Sequence, residues 1–294
     1  MRGRWAVLAV GLATAGCVAP AVLPGPQPPA RVSTSTAPAS EIAAAGPAAT
    51  SAPDAGVSTV PADLAASALE PATSAATRQF APWRQGEGIA GFDVSRYQAN
   101  VDWVGLAQSG HAFVYVKATE GTDHRSPTHD DQRVAARKAG LVQGAYHYAR
   151  PGQSSGTLQA RFFHSAGGSW SADGRTLPGA LDLEFAERGP QCHGLGQDEM
   201  RTWVREFSDE YRRLSGRVPV IYTKAEVWDT CTGGDTSFKN HPLWLFDHAD
   251  APGRLPVGWE RPTLWQRGVV DNLDRNVFFG SRDQLVSWAS APLR

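Results

Sequence analysis

From Gly88 onward the chain alternates apolar runs of strand length with longer amphipathic stretches. The runs are GIAGFDVS (88–95), AFVYVKA (112–118), LVQGAYHYA (141–149), PGALDLEF (178–185) and VPVIYT (218–223). The clearest amphipathic stretch is QDEMRTWVREFSDEYRRLSG. It repeats Met200, Trp203, Val204, Phe207, Tyr211 and Leu214 at helical spacing, and Gly216 supplies the stop. Aromatic residues at that spacing predict a core face. The alternation as a whole predicts a parallel sheet with helices outside it. After Tyr222 the pattern changes, and PLWLF (242–246), TLWQR (263–267) and NVFF (276–279) follow with little helix between them. Five strand–helix units and three further strands predict an α/β fold, a TIM-like (β/α)5(β)3 barrel with an irregular C-terminal third.

The N-terminal part reads differently. MRGRWAVLAVGLATAGC places two arginines before an apolar run that is too short to span a bilayer, which predicts an export signal over 1–17. TAGC is similar to the lipobox of bacterial lipoproteins, with Thr14 where Leu is usual. Cys17 is therefore a candidate for lipidation, beside the plainer reading of an ordinary cleaved signal. Residues 18–82 are dominated by Ala, Pro, Ser and Thr and predict a disordered linker, because such a segment buries too little apolar surface to offset its ordering entropy. The barrel is left with 84–294. This organisation predicts an extracellular or envelope-associated protein without a membrane span.

Lys and Arg total 28 and Asp and Glu 29, a formal net charge of -1, so no basic excess points to nucleic acid as a partner. Ten Trp residues are many for 294 and suit flat ligands such as sugar rings as well as a core. Cys192 and Cys231 predict a disulfide in an exported chain, joining the loops after two neighbouring strands. The histidines show no zinc-type pairing and read as structural or exposed.

Polar groups recur where parallel barrels collect their chemistry, at the C-terminal ends of strands. Asp93 ends the first run, Lys117 and Glu120 follow the second, Tyr146, His147 and Tyr148 end the third, and Asp182 and Glu184 end the fourth. Tyr222 ends the fifth. Trp265, Gln266 and Asp274 fall late. Residues two apart on a strand face one side, so Asp182 and Glu184 would enter the barrel mouth while Leu181, Leu183 and Phe185 pack outward. Two close carboxyls resist double ionisation, and a carboxyl kept protonated beside an ionised one is what glycoside hydrolysis uses. Alone, such a pair equally fits an arginine partner, a helix cap, or a Mg²⁺ or Ca²⁺ site with Asp93 and Asp274 as hard oxygen ligands.

Taken in order, GFDVSRYQ, FVYVKATEG, GAYHYARP, LDLE, VIYT, LWL, LWQ and LDRNVF resemble the glycoside hydrolase family 25 muramidases, the Chalaropsis-type lysozymes. They span about residues 88–280. The resemblance implies the (β/α)5(β)3 barrel and cleavage of the β-1,4 bond between N-acetylmuramic acid and N-acetylglucosamine in peptidoglycan. It makes Glu184 the catalytic acid, Asp182 the second central carboxylate, and Asp93 and Asp274 further cleft acids. Asp274 is preferred to Asp271 because DRNVF carries the Asn and Phe of the motif. Tyr148, Tyr222 and Trp265 become sugar contacts. Glu120 joins the substrate-binding set or is a turn residue paired with Lys117. The chain departs from the pattern at TDHRSP (His124, Ser126) and LWLFDHAD (Phe246, His248).

The implied reaction needs neither metal nor cofactor, and its partner is the peptidoglycan glycan strand, met by a monomer. Asp182 is left as nucleophile, base, or helper to an attacking 2-acetamido group, with retention as the outcome usually drawn. Three rivals belong to other classes. A family 18 chitinase or endo-N-acetylglucosaminidase would carry Asp-x-Asp-x-Glu, and Ala180 breaks that run. A non-catalytic peptidoglycan-binding barrel would not need all four acids. A metal-dependent hydrolase would lose activity in EDTA.

Overall fold

The computed structural model describes residues 88–291. The predicted signal (1–17), Cys17 and the predicted linker (18–82) lie outside the described residues. In chain order the elements are β1 (Ile89–Val94), α1 (Trp103–Gln108), β2 (Phe113–Glu120), β3 (His124–Arg125), α2 (His129–Lys138), β4 (Val142–Tyr148), α3 (Gly156–Phe163) and β5 (Ala180–Asp182). Then come α4 (Gln197–Ser215), β6 (Val220–Thr223), α5 (Ala225–Thr232), β7 (Leu243–Phe246), β8 (Leu264–Val270), β9 (Leu273–Phe278) and α6 (Arg282–Ser290). The strands run β1-β2-β4-β5-β6-β7-β8-β9 and return to β1, closing a barrel, with β3 appended to β2. All barrel strands are parallel except β9, which is antiparallel to both β8 and β1. Among the described residues no helix is long and apolar enough to cross a membrane.

Each apolar run became a barrel strand, and a helix follows each of the first five. The pleat sorts their side chains between two cores. Inside the barrel lie Tyr115, Ala180, Val220, Trp244, Leu264 and Phe278. Gly144 has no side chain because the Tyr115 ring fills that space, and a Cβ there would come within 2.3 Å of it. Outside, Leu181 and Leu183 pack with Phe207, Trp228 and Leu245 under the helices. The helix α4 runs as the periodicity predicts. It stacks Trp203, Phe207 and Tyr211 into a ladder with ring centroids 5.8 and 6.4 Å apart. It stops at Gly216, whose φ of 74° is the left-handed cap that glycine supplies without strain.

Two boundaries differ from the sequence reading. The strand β5 ends at Asp182 and not at Phe185, because the last ladder bond runs from the Leu183 N–H to the Tyr222 carbonyl (2.9 Å). At the other end β8 continues to Val270 and joins β9 through Asp271 and Asn272, both at positive φ (51° and 61°), the conformation a tight hairpin demands. The disulfide between Cys192 and Cys231 is present, with Cα atoms 5.4 Å apart. One end lies in the loop after β5 as predicted. The other lies in the last turn of α5 and not in a loop.

Candidate active site

A cleft of about 310 Å³ opens at the C-terminal ends of the parallel strands. Asp93 (β1), Lys117 (β2), Tyr146 and Tyr148 (β4), Asp182 (β5), Tyr222 (β6), Trp244 and Phe246 (β7), Gln266 (β8) and Asp274 (β9) line it. Glu184, just past β5, and Ser95, Tyr97, Glu187 and His248 complete the rim. The reversed direction of β9 explains how Asp274 arrives there. It is near the start of its strand, which is the mouth end of the barrel, and it pairs directly with Asp93.

Asp182 is 6% exposed, while Glu184 above it is half-buried. The two carboxyls are neighbours that act on each other electrostatically. Burial first, and for Asp182 then the neighbouring charge of Glu184, push both above the ordinary carboxyl range. Lys117 acts the other way on both, and Lys224 on Glu184. Two neighbouring buried carboxyls do not both ionise cheaply, which is why both are raised. Asp182 Oδ1 is buried and receives no hydrogen bond from a protein donor.

Asp93 is held by two amides, Gln266 and Asn276, whose bond to it the sequence reading did not reveal. Gln266 Nε2 (2.9 Å) and Asn276 Nδ2 (2.8 Å) both donate to its Oδ2. The orientation of each amide is fixed from behind, since Tyr222 OH donates to Gln266 Oε1 (2.9 Å) and Trp244 Nε1 donates to Asn276 Oδ1 (2.8 Å). Burial and then the charge of Asp274 push the Asp93 carboxyl up to about 8, against the pull of these two donors. Asp274 is raised too, chiefly by burial, with His248 opposing. The signal for Gln266 and Asn276 was available: a polar amide inside an apolar strand needs a buried partner.

Tyr148 and Tyr222 lie in the cleft as predicted, and Trp244 forms part of its floor. Trp265 does not. It is 1% exposed, stacks on Phe279 in the outer core, and donates its Nε1–H to the Asp247 carbonyl (2.7 Å). Its neighbour Gln266 takes the inward position, and adjacent strand residues face opposite sides. Glu120 stands behind the lining. It accepts from Lys117 Nζ (2.7 Å) and from Arg150 Nε (2.9 Å), and these cations flank the Tyr148 ring at 4.7 and 4.9 Å. Burial raises its carboxyl, but the two cations outweigh this and hold it below the ordinary range. Glu120 is thus a bracket for Tyr148 and not a cleft contact.

The buried histidines are structural. His147 bridges Thr119 Oγ1 (2.8 Å) and Gln159 Oε1 (2.9 Å), and burial lowers it to about 4. His193 supports the site from outside by donating Nε2–H to the Glu184 carbonyl (3.0 Å). A larger, shallow depression of about 510 Å³ between the β4–α3 loop and α4 carries Asp198, Glu199 and Glu206. Those carboxylates are already engaged, with Arg201, the Gly196 N–H and the Gly156 N–H.

Four carboxyls at the mouth of a closed barrel, two of them neighbours raised above the ordinary carboxyl range, with aromatic walls, define a glycosidase-type site. The comparisons with known proteins point the same way. Residues 92–269 match Glycosyl hydrolases family 25, and the chain belongs to this family. It is similar to an N,O-diacetylmuramidase of Chalaropsis sp, 42% identical over 200 residues covering 66% of this chain and 92% of the relative. It is also similar to Lysozyme M1 of Streptomyces globisporus, at 40% over 211 residues and 69% and 72% coverage. Among solved structures, a muramidase from Trichobolus zukalii superposes with a TM-score of 0.67 at 44% identity, covering 69% of this chain and 99% of that one.

Proposed function

We propose that the protein is an N-acetylmuramidase, cleaving the β-1,4 bond between N-acetylmuramic acid and N-acetylglucosamine in peptidoglycan. The observation that carries this reading is the neighbouring pair Asp182–Glu184, set beside Asp93 and Asp274 in one aromatic-walled cleft. Glu184 is the more accessible of the pair and donates its proton to the leaving glycosidic oxygen. Asp182, buried beside Glu184, is the helper to the substrate. Its unpartnered Oδ1 suits an N–H of the substrate. Asp182 polarises the 2-acetamido group, whose oxygen attacks the anomeric carbon as the glycosidic bond breaks; water, deprotonated by Glu184, then displaces that oxygen from the same carbon, and the two inversions retain the configuration. Asp93, fixed by Gln266 and Asn276, shapes the floor next to the forming positive charge.

The same reading makes the protein an exported wall enzyme acting as a monomer, with a signal over 1–17, a tether over 18–82 and a catalytic barrel over 84–294. Cys17 is either its lipid anchor or part of a cleaved signal, and mass analysis of the mature N-terminus distinguishes the two. The activity is tested on purified peptidoglycan. Solubilisation with new reducing ends on muramic acid is expected, and reducing ends on N-acetylglucosamine would overturn the assignment.

A further inference from the structure

The cleft does not stop at the four acids. Tyr97 lies on its rim, and its side chain is the most solvent-exposed large hydrophobic group among the described residues, at 71%. An exposed aromatic on a floppy loop would mean little, but this loop is pinned. Gln132, a buried residue of α2, donates through Nε2 to the carbonyls of Ser95 (2.8 Å) and Gln98 (3.1 Å). Gln98 accepts the Ser95 N–H (2.9 Å) and donates to the Asn272 carbonyl at the tip of the β8–β9 hairpin (3.3 Å). Arg96 covers one face of the Tyr97 ring at 5.0 Å and donates to its hydroxyl (3.0 Å).

The hairpin supplies a second exposed apolar group on the same side. Val269 pairs with Asp274, and directly opposed residues of a ladder share a face, so Val269 stands on the cleft side beside that acid. Val270 pairs with Leu273, whose side chain joins the outer core with Phe92 and Val94, so it faces away. Val269 is 55% exposed and Val270 53%. Tyr97 and Asp274 thus line one cleft, and Val269, paired with Asp274 on the hairpin that Gln98 holds through Asn272, adds an exposed apolar group beside that acid.

We infer that Tyr97 and Val269 form an extension of the substrate site that receives a pyranose ring of the glycan strand beyond the sugars flanking the cleaved bond. The inference rests on the muramidase reading. A pyranose presents an apolar C–H face and a rim of hydroxyls, which matches an aromatic platform next to a carboxyl. The rigid loop avoids the ordering cost that a mobile platform would incur on binding. Continuity with the cleft assigns the surface to the strand that occupies it.

The test compares kcat/KM of the full chain on long peptidoglycan glycan strands with that on the shortest fragment it cleaves. For Tyr97→Ala the long-to-short ratio falls about tenfold, which corresponds to ~1.4 kcal/mol. Val269→Ser lowers the ratio in the same direction, and Val270→Ser on the outer face leaves it unchanged. An unchanged ratio for Tyr97→Ala, with the thermal midpoint retained, overturns the inference while the muramidase reading stands. If the wild-type chain cleaves neither substrate, that reading fails, and calorimetric binding of long strands decides the platform: weaker binding by Tyr97→Ala supports it, equal binding overturns it. A wild-type dimer that Tyr97→Ala dissociates would assign the surface to self-association and overturn it as well.

Discussion

Breaking the Cys192–Cys231 bridge should cost stability and loosen Glu184, the proposed acid, together. The bridge closes a loop of 39 residues. The chain-entropy relation gives about 4 kcal/mol for such a loop, and at a few degrees per kcal/mol for a domain of this size the midpoint falls by roughly 10 °C. The clean perturbation is Cys192→Ser with Cys231→Ala, because Cys231 is 1% exposed and a hydroxyl there would add a burial penalty of its own. A functional consequence follows from position. His193 comes directly after Cys192 and holds the Glu184 carbonyl at 3.0 Å, so the bridge fixes the segment that fixes the acid. The variant should therefore lose kcat about tenfold through misplacement of the proton donor, with KM little changed. Urea unfolding followed by fluorescence of the Trp residues reads the first effect, and release of reducing ends from peptidoglycan the second. A stability change under about 1 kcal/mol would refute the loop argument. Full kcat in a folded, bridge-free variant would refute the link to Glu184.

Glu184→Gln should retain the fold and lose at least about a hundredfold in turnover, as removal of a general acid does; substantial residual activity would place the acid elsewhere. Asp93 tests the electrostatics through pH. Its folded carboxyl is raised to about 8 from an ordinary 3.8, so its contribution to stability is fully present below about pH 4 and is lost as pH rises towards 8. Asp93→Asn keeps an acceptor for Gln266 and Asn276, so the variant should gain on the wild type between pH 5 and pH 8 in parallel melts; a constant difference across that range would contradict the raised carboxyl. Trp265→Ala should cost ~3–5 kcal/mol, as large core truncations do, without a selective rise in KM. A KM effect in a fully stable variant would restore Trp265 to the cleft.

The barrel was legible because parallel strands buried on both faces read as continuous apolar runs, and all eight runs became barrel strands. The central pair was legible because two acids at strand spacing inside such a run have one cavity to share. What escaped was parity. In LWQ the bulky Trp265 looked like the sugar platform, but the register of β8 against β9 sets Gln266 opposite Asn276 and turns the indole outward. The same parity applied to LWLF would have found Trp244 and Phe246. For Glu120 the alternative of a pair with Lys117 is the one the structure shows; the second cation, Arg150, was not legible, because only the neighbouring strands β2 and β4 bring it near. The pinned Tyr97 loop was likewise invisible, since Gln132 reaches it from a helix on the next unit.

The reversed closing strand has a consequence for how the molecule is made. The first acid, Asp93, emerges early in synthesis, yet both of its anchors, Gln266 and Asn276, belong to the last two strands. The partner that closes the circle against β1 is also the last strand to appear. A nascent chain that already carries Asp93, Asp182 and Glu184 therefore has an open sheet edge and an unfixed floor. Chains cut short before Asn276 are expected to be inert, so the ability to cut a polymer arises only once the closing strand has been made.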